Sequence, residues 1–100
     1  MEEKILTLHP EGKQGVNISK DKYDTIRKAI LSILEEQEET LFKDLPAAVD
    51  RKLEASFDSS TTWYVTTVKL DQEARGLIVR IPKSNPQRLR LAVLISSSRV

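Results

Sequence analysis

The chain has 100 residues, 39% hydrophobic and 31% charged, with no cysteine and a formal net charge of +1. One domain of this size buries roughly 60–70% of its unfolded surface, enough for a single core without staples. The composition excludes a disulfide framework, a thiol nucleophile and a thiolate metal site. No apolar run approaches the ~20 residues of a membrane span, and the N-terminus lacks a signal-peptide core, so a soluble cytoplasmic protein is expected.

Net charge this small predicts no strong nucleic-acid affinity by itself, but the charges are segregated. Leu34 to Asp58 holds eight acids and three bases, net −5, and Ser59 to Val100 holds two acids and seven bases, net +5. Such segregation steers a polyanion to one face, or pairs opposite faces of two copies.

Lys4 to Leu8 (KILTL) reads as a short strand, His9 to Gly15 as a turn, and Val16 to Ile18 as a returning strand. Residues 1–18 are thus expected to form an N-terminal arm or hairpin. The GKQG in its turn lacks the longer glycine spacing and the following hydroxyl of a phosphate loop, so it reads as turn geometry. His9 is the only histidine; without a second histidine or a cysteine it reads as a surface turn residue.

Ser19 is placed to cap the first helix, with Asp21 favourable in its first turn. Tyr23, Ile26, Ile30, Ile33 and Leu34 follow at three-and-four spacing, with Ala29 beside them, and define a buried stripe. The run Glu35-Glu36-Gln37-Glu38-Glu39 ends that helix, because acids disfavour a helix C-terminus. Thr40-Leu41-Phe42 is a short strand. Asp44 caps a second helix, with Pro46 in its first turn and Leu45, Val49, Leu53 and Phe57 as its inner line.

Ser60, Thr61 and Thr62 offer caps for a third helix, and Gly76 supplies the left-handed position that closes it. Val65, Val68 and Gln72 share one face, with Gln72 where an apolar residue is expected. Trp63, Thr67, Leu70 and Ala74 form a second stripe, which predicts that this helix is covered on both sides, by the core and by the arm or another subunit. Leu77 to Ile81 then alternates as a strand. Pro82 to Pro86 is a turn that neither proline lets continue as a ladder, and Gln87 to Leu91 alternates again with Leu89 and Leu91 inward. Two strands with a basic tip read as a wing. Residues 92–100 are a tail that begins as a strand extension and frays.

The order helix, short strand, helix, turn, helix, two-stranded wing resembles the winged helix-turn-helix superfamily over about Ser19 to Leu91. The segments HPEGKQGVNI, YDTIRKAIL, WYVTTVKLDQEARGLI and PQRLRL resemble, more closely, a small bacterial family of unknown function about this long. That resemblance implies leucine as the usual residue at Gln72, and so a looser core contact here. It carries over no catalytic or binding residues. The expected fold class is α+β: a winged helix-turn-helix of residues 19–91, three helices with a C-terminal two- or three-stranded wing and a short N-terminal β arm.

Two functions follow as expectations, the first mainly by analogy of fold. As a small regulator or accessory factor, the chain would bind double-stranded DNA. Thr62, Thr66 and Lys69 would face the groove, and Arg80, Lys83, Arg88 and Arg90 would contact phosphate. Against this stand Trp63 and Leu70, and the acids Asp71 and Glu73, which phosphate repels. As a protein-interaction module that does not read DNA, the chain would form a homodimer through Trp63, Leu70 and Ala74, with Ile5, Leu6 and Leu8, unless its own N-terminal arm covers them. No spacing argues for an enzyme, a metal, a cofactor or a small-molecule ligand.

Overall fold

The computed structural model describes residues 3–92; of the tail expected at 92–100, residues 93–100 lie outside them. Strands β1 (Lys4–Leu6) and β2 (Asn17–Ser19) pair antiparallel, with Ile5 opposite Ile18, and form the expected hairpin. Ile18 faces the core, at 5% exposure, and Ile5 packs against that core.

Helix α1 (Lys20–Gln37) starts at the Ser19 hydroxyl, which accepts from the Lys22 N–H. It stops inside the acidic run, where Glu38 takes a φ of 60°. Its whole predicted stripe is buried, with Ile26 and Ile30 fully so. Strand β3 (Thr40–Leu41) is shorter than expected. Phe42 donates its N–H to Gln87 O and opens a 3-10 turn, Phe42–Asp44, that runs into α2 (Leu45–Lys52). That turn already delivers a helical backbone, because the Leu45 N–H bonds to Phe42 O, so the Asp44 carboxylate makes no capping bond. Leu45 and Val49 are fully buried; Leu53 and Phe57, past the end of α2, pack partly buried against the core.

Helix α3 (Thr61–Ala74) is capped by Ser60, whose hydroxyl accepts from the Trp63 N–H at 3.2 Å. Its far end closes with paired bonds, Leu77 N–H to Gln72 O (2.9 Å) and Gly76 N–H to Glu73 O (3.1 Å), around Gly76 at a φ of 82°. A left-handed residue there suits glycine, which has no Cβ to clash. Strands β4 (Ile78–Arg80) and β5 (Arg88–Leu91) follow as an antiparallel hairpin. The hydroxyl of Ser84 pins its turn, donating to Ile81 O and accepting from the Arg88 N–H. β5 also pairs with β3, so the sheet order is β3-β5-β4. Ile78 and Leu89 point from this sheet into the core formed by Ile26, Ile30, Leu45, Val49, Val65 and Val68. Burying each such side chain contributes about 1.5–3 kcal/mol.

Candidate functional site

Helix α3 sits between the N-terminal hairpin and the β4–β5 sheet, with the core beneath it. Each neighbour is tied to it by a carboxylate that the sequence alone left facing solvent.

On the hairpin side the carboxylate is Asp71, which is fully buried. A buried charge survives only when donors surround it. Asp71 accepts from the Tyr23 hydroxyl of α1, from Arg75 Nε one turn along at 2.9–3.0 Å, from Gln72 Nε2 at 2.9 Å and from the Leu8 N–H at 2.9 Å. Burial pushes its carboxyl up, but the Arg75, Tyr23 and Leu8 bonds, with the Arg75 charge, outweigh that and hold it below the ordinary carboxylate value. The Tyr23 hydroxyl is pushed up to about 12, by burial first and then by its bond to Asp71 and that negative charge. Gln72 is fully buried in the same cluster, and its Nε2 also reaches the Tyr23 oxygen at 2.8 Å. Its Oε1 has no donor among the described residues, a deficit worth about 1–3 kcal/mol.

On the sheet side the carboxylate is Glu73. Lys69 Nζ meets it at 2.6 Å and Arg80 Nε at 3.1 Å. The Lys69 and Glu73 side chains are 3% and 7% exposed. The Lys69 ammonium also lies 4.5 Å from the centroid of the Phe42 ring, a favourable cation–π contact. Burial lowers the Lys69 pKa, with Glu73 pulling the other way.

These two clusters correct the sequence reading. Lys69, expected to face the groove, is buried inside the fold. Asp71 and Glu73, expected to repel phosphate, are neutralised internally. Arg80 is held by Glu73, and Arg90 donates from Nη1 to Leu91 O at 3.1 Å. Of the remaining DNA candidates, Thr62, Lys83 and Arg88 are exposed and Thr66 is half-buried. Neither Lys83 nor Arg88 forms an ion pair among the described residues.

The second stripe lies partly open. Trp63 is 45% exposed, while Thr67, Leu70 and Ala74 are half-buried. The hairpin tip runs alongside and leaves a dimple of about 170 Å³, walled by Leu8 and Val16 on one side and by Trp63, Thr67 and Leu70 on the other. Leu8 and Val16 are themselves 43% and 39% exposed. Ile5 turns inward instead and Leu6 stands in solvent. His9 lies in the tip, where its Nδ1 accepts from the Glu11 N–H.

A wider cleft of about 530 Å³ lies between the starts of α2 and α3, lined by Lys43, Asp50, Thr61 and Thr62. Its charges are mixed and converge on no common point. Among the described residues no group of three His, Asp or Glu side chains gathers to hold a metal ion, and no helix is long and apolar enough to cross a membrane.

Among the described residues the structure is α+β, with three helices and two small sheets. Residues 4–89 match the model of a family of unknown function, DUF6958, and the chain belongs to that family. No curated protein and no solved structure matches it.

Proposed function

We propose that this chain is a protein-interaction module on a winged-helix scaffold, and that it dimerises through the outer side of α3 around Trp63. The scaffold reading is supported by chain order: a helix, a short strand, two helices and a hairpin, with β3 joining that hairpin's sheet. The interaction reading is carried by Trp63, nearly half exposed at the edge of an apolar dimple bounded by two further exposed apolar residues. Aromatic side chains in such settings are enriched in interface cores. A two-fold contact would set two copies of this face together. Sedimentation equilibrium from micromolar to millimolar concentration tests it. Dimerisation of the wild type, weakened at least tenfold by Trp63→Ser, is expected. A wild-type chain that stays monomeric at millimolar concentration overturns the homodimer.

Duplex DNA is the second reading, favoured by Lys83 and Arg88, exposed on the β4–β5 hairpin and without an ion-pair partner among the described residues, and by Thr62 exposed at the start of α3. Two phosphate contacts predict that affinity falls only about tenfold between 50 and 200 mM salt. An amide-NMR titration with a mixed-sequence duplex should then shift Lys83, Arg88 and Thr62 together. No shift at low salt removes this reading.

A further inference from the structure

We infer that the hairpin tip, Thr7 to Val16, is a lid on α3 that opens as one unit about the ends of β1 and β2, and that its position controls access to the face proposed above. The control of a partner rests on that proposal; the opening itself does not.

The tip holds its own shape. The Thr7 N–H bonds to Val16 O at 2.9 Å, and the Val16 N–H bonds back to Thr7 Oγ1 at 3.0 Å. Gly15 lies so close to the Thr7 carbonyl that a Cβ built on it would stand 1.7 Å from that oxygen. Farther out, the Gly12 N–H bonds to His9 O and Lys13 pairs with Glu11. All of these bonds lie within the tip and travel with it.

The tip's tie to the helices is slight by comparison. Among the described residues its one hydrogen bond to them runs from the Leu8 N–H to Asp71 Oδ1. Breaking that bond strands neither partner. Asp71 keeps Tyr23, Arg75 and Gln72 as donors, and the freed N–H meets water. Opposing this is the packing of Leu8 and Val16 across the dimple from Trp63, Thr67 and Leu70, which holds the lid shut at rest. Segments with few buried apolar contacts open well below the free energy of global unfolding. Opening removes one wall of the dimple and bares Trp63, Thr67 and Leu70 along the outer side of α3.

Amide hydrogen exchange on the full wild-type chain tests the lid without any partner. The Leu8 amide should exchange roughly a hundredfold faster than Val68 in the middle of α3, with little dependence on low denaturant. Thr7 and Val16, bonded within the tip, should stay slower than Leu8. Leu8 exchanging at the rate and denaturant dependence of Val68 overturns the lid, since the tip then leaves only by global unfolding. Leu8, Thr7 and Val16 exchanging fast together also overturns it, because the tip then frays instead of swinging. Leu8→Pro, which removes the N–H that holds the lid, separates this idea from the dimer. Self-association tightened about tenfold in Leu8→Pro supports control of the face. If Leu8 exchanges fast but both chains stay monomeric, the lid stands and the dimer reading falls.

Discussion

Lys69 and Glu73 lie one turn apart on α3 and form a buried ion pair, 2.6 Å from Nζ to Oε2. The i,i+4 spacing that brings them together would be worth only a few tenths of a kcal/mol on a bare helix. Here the sheet covers the pair, and Arg80 of β4 closes on the same carboxylate. Glu73 therefore holds a base of its own helix and a base of β4, and the Arg80 contact joins α3 to the β4–β5 hairpin.

Removing one partner should be costly and removing both much less so. Lys69→Met leaves Glu73 buried with only the half-exposed Arg80, and should destabilise the fold by about 3 kcal/mol. The double variant Lys69→Met, Glu73→Gln should recover at least half of that, because neither buried charge is left alone. Urea midpoints at unchanged m-value measure both. Equal losses in the single and double variants would show that the pair itself is not what the sheet side depends on.

The Tyr23–Asp71 bond sets a window of pH stability. Asp71 titrates below its ordinary value of 3.8 when folded, so its contribution is complete above that pH and is lost as pH falls through the folded value. Tyr23 is raised from 10.0 to about 12, so its contribution is present below pH 10 and is lost as pH climbs toward 12. Lys69 acts with the opposite sign: its lowered pKa means that rising pH relieves an unfavourable charge below 10.5. Tyr23→Phe isolates the alkaline limb. Between pH 9 and 11 the wild type should lose more urea resistance than this variant, and parallel curves would contradict the assignment to Tyr23.

Two glycines should respond to alanine for different reasons. Gly15→Ala places a methyl against the Thr7 carbonyl, so the hairpin tip must deform; a loss of about 1–3 kcal/mol is expected, as for an overpacked site. The Trp63 and Leu8 NMR signals should move with it while helical circular dichroism stays. Gly76→Ala meets open space but keeps a φ of 82°, so its loss of about 1 kcal/mol is conformational. Combining Gly76→Ala with Gly15→Ala should give additive losses, with no coupling to the tip.

Much of the backbone was legible in the sequence because it follows from local signals. The stripe of Tyr23, Ile26, Ile30, Ile33 and Leu34, the Ser19 and Ser60 caps, and the Gly76 stop each depend on residues within a turn or two of one another, and each appears where expected. The site was less legible because its chemistry is long-range. Asp71 and Arg75 are spaced i,i+4, a signal that was there to read, but nothing local says that Tyr23, 48 positions away, completes the cluster. Lys69 looked like a surface base because a polar side chain on the outer half of a helix usually is one. Its burial depends on Phe42 leaving its strand for a 3-10 turn and on Arg80 folding back over Glu73. The short β3 and the uncapped Asp44 share that origin.

Gln72 offers the sharpest test of how the buried cluster is balanced. Its amide nitrogen serves Asp71 and the Tyr23 oxygen, while its Oε1 finds no donor. Gln72→Leu removes a bond to the Tyr23 oxygen, worth about 1 kcal/mol, and one to the Asp71 carboxylate, worth about 1.5–3 kcal/mol, but also removes the orphaned oxygen, worth about 1–3 kcal/mol. Asp71 keeps Tyr23, Arg75 and Leu8 as donors, so no charge is stranded. The leucine adds apolar burial against Val65 and Val68, which share its face. The expected result is a chain more stable by about 1 kcal/mol in urea, with the melting temperature raised by several degrees, as for a domain of this size. If the variant instead loses more than 1 kcal/mol, the Gln72 bonds are holding Asp71 and Tyr23 in register.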